Sequence, residues 1–326
     1  KLYTSAAALH FLGKNHHFET NVLSKKNNLI LKGGGDPDLS IKQLDSLALE
    51  ISKKHKTIDT LFIDDSFLDS LNYGEGWMWD EGDEWYSAEV SALSVNDNCI
   101  DFIVSPTYPG SPINVEMYPK SNFYNITNTG TTISDTSEYV ELKIIRDWKN
   151  NKNSFHVSGA IMDTTSIDTV IRNISNPTLF TGNLFERILN KNGLRINKTS
   201  KGSNSKSSSL VATHYSNSLL SSLENLMVES DNLTAELLVK MIGHKTTNKQ
   251  GTWQNGLFAM RNFFNNDVSM DTTTFSINDG SGVSRYNYSS PSHFTDLLIW
   301  AYNLSLIHIS EPTRPRLISY AVFCLK

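Results

Sequence analysis

Cysteine is scarce in this chain, charge is nearly balanced, and long apolar runs are missing. The 326 residues include two cysteines, Cys99 and Cys324, which are too few and too far apart for a disulfide framework or a cysteine zinc site. The formal net charge is −5, which gives a nucleic-acid partner no electrostatic support. No run of about 18 apolar residues occurs, so no transmembrane helix is predicted; no signal peptide is visible either.

Two widespread catalytic motifs are missing as well. His10, His16 and His17 do not form an HExxH pattern, so no metallopeptidase site, metal or cofactor is expected. The glycine triplet 33–35 lacks the GKS/T ending of a phosphate loop, and the Asp-Pro pair that follows it favours a tight turn.

The patterns that are present predict a multi-domain α/β protein. Hydrophobic residues make up 39% and charged residues 19% of the chain, which suits folded cores, and the length suggests two or three domains. Alternation over 18–31 predicts a hairpin, and a helical pattern over 40–55 before a strand at Thr60–Asp64 completes an α/β module. Residues 101–172 are β-rich, and the polar stretch 198–209 is interpreted as a domain crossing. Further helices are predicted over residues 1–13, 178–193, 216–228, 232–243, 254–265 and 292–303.

Ser230, Asp231 and Asn232 stand at the start of one of these helical patterns. Their side-chain oxygens suit an N-cap, because they accept hydrogen bonds from the free N–H groups of a first helical turn. Taken alone, the triplet indicates an ordinary helix start. The same three polar groups could also point into an active site, and the choice depends on the rest of the chain.

Six segments, in a fixed order along the chain, match the motifs of one family. They are KLYTSAAAL (1–9), LKGGGDPDLS (31–40), IDDSFLD (63–69), GEGWMWDEGDEWYSAEVSALSVNDN (74–98), ESDNLTAELL (229–238) and NDGSGVSRYNYSSP (278–291). Together they resemble the D-alanyl-D-alanine carboxypeptidase/endopeptidase family, the class C group of low-molecular-mass penicillin-binding proteins. The resemblance covers about residues 1–303.

The resemblance implies the architecture. It predicts an α/β (α+β) catalytic domain of the penicillin-binding, transpeptidase-like fold, split by an inserted α/β domain that itself carries a nested β-rich domain. Residues 1–22 and 208–303 are expected to form part of the catalytic domain. Residues 23–100 and 173–207 are expected to form the inserted domain, and residues 101–172 the nested one.

The family carries three catalytic elements, S-x-x-K, S-x-N and K-T-G. Lys1 matches the lysine of the first, so the nucleophilic serine would stand three residues earlier, and the chain is expected to be cut inside this motif. Ser230 and Asn232 match the second. The resemblance implies that Ser230 relays a proton between the lysine and the leaving amine, and that Asn232 binds the lysine and the substrate's amide backbone. Asp231 is expected to cap the helix.

The segment NDGSGVSRYN resembles a loop that supports the active site in this family. Asp279, Ser281 and Arg285 are expected to brace the active-site floor by hydrogen bonds rather than to react. Gly280 and Gly282 are expected to adopt backbone angles that a β-carbon would forbid.

Other segments extend or limit the match. Asn96 and Asp97 of the loop SVNDN are the candidates for contact with the diamino acid of a peptide stem. The residues 245–247, Lys-Thr-Thr, are not the K-T-G element, because they lack its glycine and precede the DGSG-like loop. The chain is therefore interpreted as truncated at both ends. The aromatic residues of segment 77–86 favour a core at a domain joint over a binding site.

The implied function is that of a serine-type D-Ala-D-Ala carboxypeptidase or endopeptidase acting on peptidoglycan peptides, with β-lactams as covalent inhibitors of the full-length enzyme. The fragment itself is expected to be inactive, and the location to be extracytoplasmic. One alternative is a non-catalytic peptidoglycan-binding module on the same fold. A β-lactamase-like hydrolase is disfavoured by the large insertion between Lys1 and Ser230.

The end of the chain departs from the family pattern near residue 304. Its segment SLIHISEPTR resembles translated sequencing-adapter read-through. The hypothesis is that residues 304–326 are a non-native tail, so Cys324 carries no functional weight.

Overall fold

The computed structural model of the protein describes residues 1–203 and 207–303. The helices in this part of the chain are α1 (Leu2–Phe11), α2 (Ile41–Ser52), α3 (Pro177–Lys191), α4 (Leu219–Val228), α5 (Asn232–Thr247), α6 (Trp253–Asn266) and α7 (Pro291–Asn303). The strands are β1 (His17–Lys25), β2 (Asn28–Lys32), β3 (Thr57–Asp64), β4 (Cys99–Ser105), β5 (Asn114–Tyr118), β6 (Asn125–Asn128), β7 (Thr131–Ile133), β8 (Lys143–Arg146), β9 (Ser154–Ser158), β10 (Ala160–Met162), β11 (Asp168–Asn173), β12 (Arg195–Lys201) and β13 (Ser209–Ser218).

A five-stranded sheet with the order β12-β3-β2-β1-β13 lies at the centre of the α/β part. Strands β1 and β2 form the predicted hairpin, with Val22 opposite Leu31. Helix α2 connects β2 to the parallel strand β3, and α3 leads into β12, which is parallel to β3. The predicted hairpin and the predicted strand–helix–strand module are therefore confirmed.

The sheet crosses a predicted domain boundary. Strand β1 contains residues 22 and 23, and it pairs with β2 on one side and with β13 on the other. The polar stretch 198–209 contains the end of β12 and the start of β13, which are the two edge strands of this one sheet. The stretch thus joins opposite edges of a sheet, and the division of the chain into domains stays a prediction.

The β-rich segment forms three small sheets, ordered β11-β4-β5, β6-β9-β8 and β10-β7. Phe102 on β4 and Phe155 on β9 pack with ring centroids 4.9 Å apart. Both belong to the same apolar cluster as Leu29 and Leu31 of the five-stranded sheet. The β-rich segment therefore shares a core with the α/β part.

A second apolar core lies among α1, α4, α5, α6 and α7. Helix α5 is at its centre, because every residue from Asn232 to Gly243 is buried. Gly256 lets α6 approach closely, since a β-carbon there would overlap the carbonyl oxygen of Val239 on α5. This packing also brings the start of α1 to the start of α5, where the candidate site lies.

Among the residues described, no helix has both the length and the apolar character needed to cross a membrane. The hypothesis of a non-native tail at 304–326 falls outside the described residues.

Candidate active site

The side chain of Lys1 reaches the first turn of α5. Its Nζ donates a hydrogen bond to Asn232 Oδ1 at 2.5 Å and another to the carbonyl oxygen of Ser281 at 3.1 Å. These partners are separated from Lys1 by 231 and 280 positions in the sequence. The structure thus brings together Lys1, Asn232 and Ser281, three of the residues predicted for the site.

The amide of Asn232 has a partner for each of its polar atoms. Oδ1 accepts from Lys1, and Nδ2 donates to the backbone carbonyl of Tyr86 at 2.8 Å. This pair of contacts fixes which end of the amide faces the lysine. The neighbouring Asp231 accepts from the backbone N–H groups of Leu233 and Thr234, which confirms its predicted role as the helix cap.

Ser230 lies on the same loop, two residues before Asn232. Its φ is +59°, a left-handed conformation that a residue with a β-carbon adopts at a cost of about 1 kcal/mol or more. The residue is exposed, and its hydroxyl forms no hydrogen bond with any residue that the structure describes. Of the two residues that match S-x-N, the structure shows a direct contact with Lys1 for Asn232.

The loop of residues 279–282, called the DGSG loop below, is organised around the buried carboxylate of Asp279. This carboxylate accepts from the N–H groups of Gly282 and Ser284, at 2.9 and 2.6 Å, and from Asn287 Nδ2 at 2.7 Å. Trp77 Nε1 also donates to it, at 3.1 Å. Asp279 thus holds the loop together, and its role in bracing an active-site floor stays a prediction.

The other four predicted residues of this segment differ in what they contribute. Gly282 has a φ of +93°, as expected for a glycine-only conformation. Gly280 has no positive φ, so the expectation of a special backbone angle was wrong there. Glycine is required at this position for another reason, because a β-carbon would overlap the carbonyl oxygen of Ala235 on α5. The backbone of Ser281 accepts from Lys1 and donates to Glu236. Arg285 is exposed, and it is its backbone N–H that donates to the carbonyl of Gly76, not its guanidinium. Bracing by the Arg285 side chain is therefore not observed.

Glu236, on the second turn of α5, is fully buried beneath the DGSG loop. Its carboxylate accepts from the N–H groups of Gly280, at 2.9 and 3.0 Å, and of Ser281 at 2.7 Å. Trp253 Nε1 on α6 donates to it at 2.7 Å. Burial, followed by repulsion from Asp279, raises the pKa of Glu236 to about 7, although these hydrogen bonds act in the opposite direction.

The shifted pKa of Glu236 predicts a pH-dependent stability. Because its ordinary value is 4.5, the folded protein holds this proton more tightly than the unfolded chain between about pH 4.5 and pH 7. The stabilisation is thus present at low pH and is lost as the pH rises through about 7, by up to about 3 kcal/mol.

Glu236→Gln should remove this dependence. Urea unfolding of both proteins at pH 5 and pH 8 measures it, with the exposed Glu224→Gln on α4 as the control. Parallel stability profiles for wild type and Glu236→Gln would refute the assignment.

The loop that contains Asn96 and Asp97 approaches the N-terminus of α5. The pKa of Asp97 is raised, first by desolvation and then by the carboxylates of Asp231, Asp38 and Asp101, so these groups share one acidic rim. Asp97 is exposed, so water partly screens the repulsion among these charges. Asn96 Nδ2 donates to Asp101 Oδ1 at 3.2 Å. The predicted substrate-binding pair therefore lies beside the S-x-N loop.

Three residues of the site were not predicted from the sequence. They are Tyr86, whose carbonyl orients Asn232; Trp77, which binds Asp279; and Glu236. The aromatic segment 77–86 is not a uniform core, because Trp77 is partly buried against Trp253 whereas Trp79 is 73% exposed. The one sequence signal that could have identified Glu236 as a site residue is a charged residue within the apolar pattern of α5.

No group of three or more His, Cys, Asp or Glu side chains within residues 1–203 and 207–303 has an arrangement that could hold a metal ion. The polar groups within hydrogen-bond distance of the Lys1 amine include the amide oxygen of Asn232 and the carbonyl oxygen of Ser281.

Comparison with known protein families gives one match over almost the whole chain. The family model described as D-Ala-D-Ala carboxypeptidase 3 (S13) matches residues 1–309. The chain is 31% identical over 344 residues to a D-alanyl-D-alanine carboxypeptidase of Actinomadura sp., in a match that covers 96% of this chain and 63% of that protein. It is 24% identical to the D-alanyl-D-alanine carboxypeptidase DacB of Haemophilus influenzae, covering 95% and 67%. The chain therefore spans less than two thirds of the Actinomadura protein.

Solved structures show the same fold. The crystal structure of penicillin binding protein 4 (dacB) from Haemophilus influenzae is similar with a TM-score of 0.80 at 25% identity, covering 94% of this chain and 70% of that one. Its complex with a β-lactam is similar with a TM-score of 0.73 at 23% identity, covering 93% and 67%. The penicillin-binding, transpeptidase-like fold expected from the sequence is confirmed.

Proposed function

This chain belongs to the D-Ala-D-Ala carboxypeptidase 3 (S13) family, and from that premise we propose that it is part of a serine-type peptidase that cleaves between two D-alanines of peptidoglycan stem peptides. The observation that carries the proposal is the 2.5 Å contact of Lys1 Nζ with Asn232 Oδ1. A nucleophilic serine needs a base and a substrate-binding amide close to its hydroxyl. This contact joins the lysine that matches S-x-x-K to the asparagine that matches S-x-N.

The proposed reaction begins with a serine three residues before Lys1, on the same helical face. Its hydroxyl proton passes to the lysine amine as Oγ bonds to the peptide carbonyl carbon. The carbon–nitrogen bond then breaks, and the leaving amine of the second D-alanine takes a proton by way of Ser230. Water hydrolyses the resulting ester, which frees the shortened peptide and the serine.

The geometry around Lys1 suits its role as the base. Its amine donates to Asn232 of the S-x-N element and to the backbone of the DGSG loop, so it is held next to the residues that match the second catalytic element. The left-handed backbone conformation of Ser230 supports a functional role for the loop of residues 230–232, because such conformations cluster at active sites.

The acidic rim supports the choice of substrate. The carboxylates of Asp97 and Asp231 near the S-x-N loop would attract the ammonium of a diamino acid in the peptide stem, with Asn96 as a neutral partner. Because peptidoglycan lies outside the cytoplasmic membrane, the proposal places the protein in the cell envelope. No cofactor takes part in the proposed reaction.

The test is acylation by a β-lactam, which forms the same serine ester. We expect the gene with its upstream codons to encode serine three positions before Lys1. Intact-protein mass spectrometry of that protein after treatment with penicillin should then show one β-lactam per chain. Replacement of that serine by alanine should abolish the adduct.

Other outcomes distinguish the alternative. Alanine or glycine at that position, or a serine that forms no adduct, would contradict the peptidase. Binding of such a protein to purified peptidoglycan would instead support the non-catalytic binding module on the same fold. The β-lactamase-like alternative predicts fast release of hydrolysed penicillin in place of a lasting adduct.

A further inference from the structure

Two consecutive residues of the DGSG loop connect α5 with the start of α1. On one side, the N–H groups of Gly280 and Ser281 donate to the carboxylate of Glu236. On the other side, the carbonyl of Gly280 accepts from Thr4 Oγ1 at 2.5 Å, and the carbonyl of Ser281 accepts from Lys1 Nζ at 3.1 Å. Residues 280–281 are thus held between a carboxylate on α5 and the first turn of α1.

We propose that Glu236 is a positioning residue for Lys1, acting through the backbone of Ser281. Its carboxylate fixes the N–H of Ser281, and the carbonyl of that same residue lies against the Lys1 amine. The backbone of a single residue, Ser281, therefore links the side chains of Glu236 and Lys1, and no flexible side chain lies between them. This inference rests on the proposed function, in which Lys1 is the catalytic base.

Holding a loop with a fully buried carboxylate costs free energy, because removing the charge from water is unfavourable. A neutral Gln or Ser could accept a loop N–H without that penalty. The negative charge adds something that a neutral group lacks, since it favours the ammonium form of Lys1 after the lysine has taken a proton. The other charged groups that face Glu236 are Asp279 of the loop and Lys240 on α5.

The test measures the reactivity of the Lys1 amine directly. The purified chain and its variants are treated with a limiting amount of acetic anhydride at pH 7.5, and mass spectrometry with fragment spectra quantifies the label at each lysine Nζ. Glu236→Gln removes the charge and turns an amide N–H₂ toward groups that themselves donate, so it keeps only one acceptor oxygen for the loop. The carbonyl of Ser281 is then held less firmly, and the Lys1 amine should react more readily. We expect its labelling to be about 3 to 10 times faster, the range for losing one hydrogen bond. Glu236→Ala should give at least the same increase.

Two internal controls separate positioning from loss of structure. The buried Lys240 should stay unlabelled in every variant, because its labelling would report opening of the helical core. Glu224→Gln makes the same substitution at an exposed position on α4, and it should leave the Lys1 rate unchanged.

The proposal is overturned if Lys1 labels at the wild-type rate in Glu236→Gln. It is equally overturned if Lys240 labels in parallel with Lys1, or if Glu224→Gln accelerates Lys1 as much as Glu236→Gln does. None of these rates depends on formation of an acyl-enzyme. Failure of the proposed function would show as a missing β-lactam adduct, and failure of this inference as unchanged lysine labelling.

Discussion

Replacing Lys1 by methionine should lower the rate of β-lactam acylation of the full-length protein by about a thousandfold or more, since single catalytic groups of serine acyl enzymes contribute on that scale. Methionine keeps an unbranched stem but has no amine to take the serine proton. It also removes the donors to Asn232 and Ser281. The second-order rate constant for a fluorescent penicillin measures the loss.

The control for this prediction is Lys245→Met, an exposed lysine near the end of α5. It should acylate at the wild-type rate. A Lys1→Met protein that reacts within tenfold of wild type would show that another group acts as the base.

The second large effect concerns stability and involves Lys240, a lysine whose side chain is fully buried on α5. Its Nζ donates to Asp69 Oδ1 at 2.6 Å and to the carbonyl of Leu71 at 2.5 Å, and it lies 3.8 Å from the ring centroid of Trp253. Lys240→Met should lower the free energy of unfolding by about 3 to 5 kcal/mol, because it leaves a carboxylate and a carbonyl without their cation. Urea unfolding followed by circular dichroism measures this change.

A double variant shows where that loss comes from. Adding Asp69→Asn to Lys240→Met removes the unpaired charge, so it should recover part of the lost stability. Lys245→Met on the same helix should stay within about 0.5 kcal/mol of wild type. If Lys240→Met were also within this limit, the buried pair would not stabilise the fold.

The predictions that held depend on local patterns. The period of apolar residues located α5 and α6, although only α6 buries a single stripe and α5 is buried on all sides over its first three turns. The alternation in 18–31 located the β1–β2 hairpin because one face of the sheet is buried. The cap at Asp231 was predictable for the same reason, since its hydrogen bonds reach only the next two or three residues.

The parts that could not be predicted depend on partners far away in the sequence. Glu236 and Lys240 read as ordinary charged positions of a helix, but the fold places their partners at Ser281 and at Asp69. The role of Gly280 was also misjudged, because its constraint comes from the backbone of α5 and not from its own angles. The placement of Lys1 against Asn232 was inferred from a family resemblance; no local pattern contains it.

The tryptophan contacts have an optical consequence. The indole N–H of Trp77 binds Asp279, the indole N–H of Trp253 binds Glu236, and the two rings lie 6.4 Å apart. Indole emission responds to nearby charge and to hydrogen bonding at its nitrogen. The intrinsic fluorescence of this protein should therefore change, through Trp253, as Glu236 ionises, without any added dye.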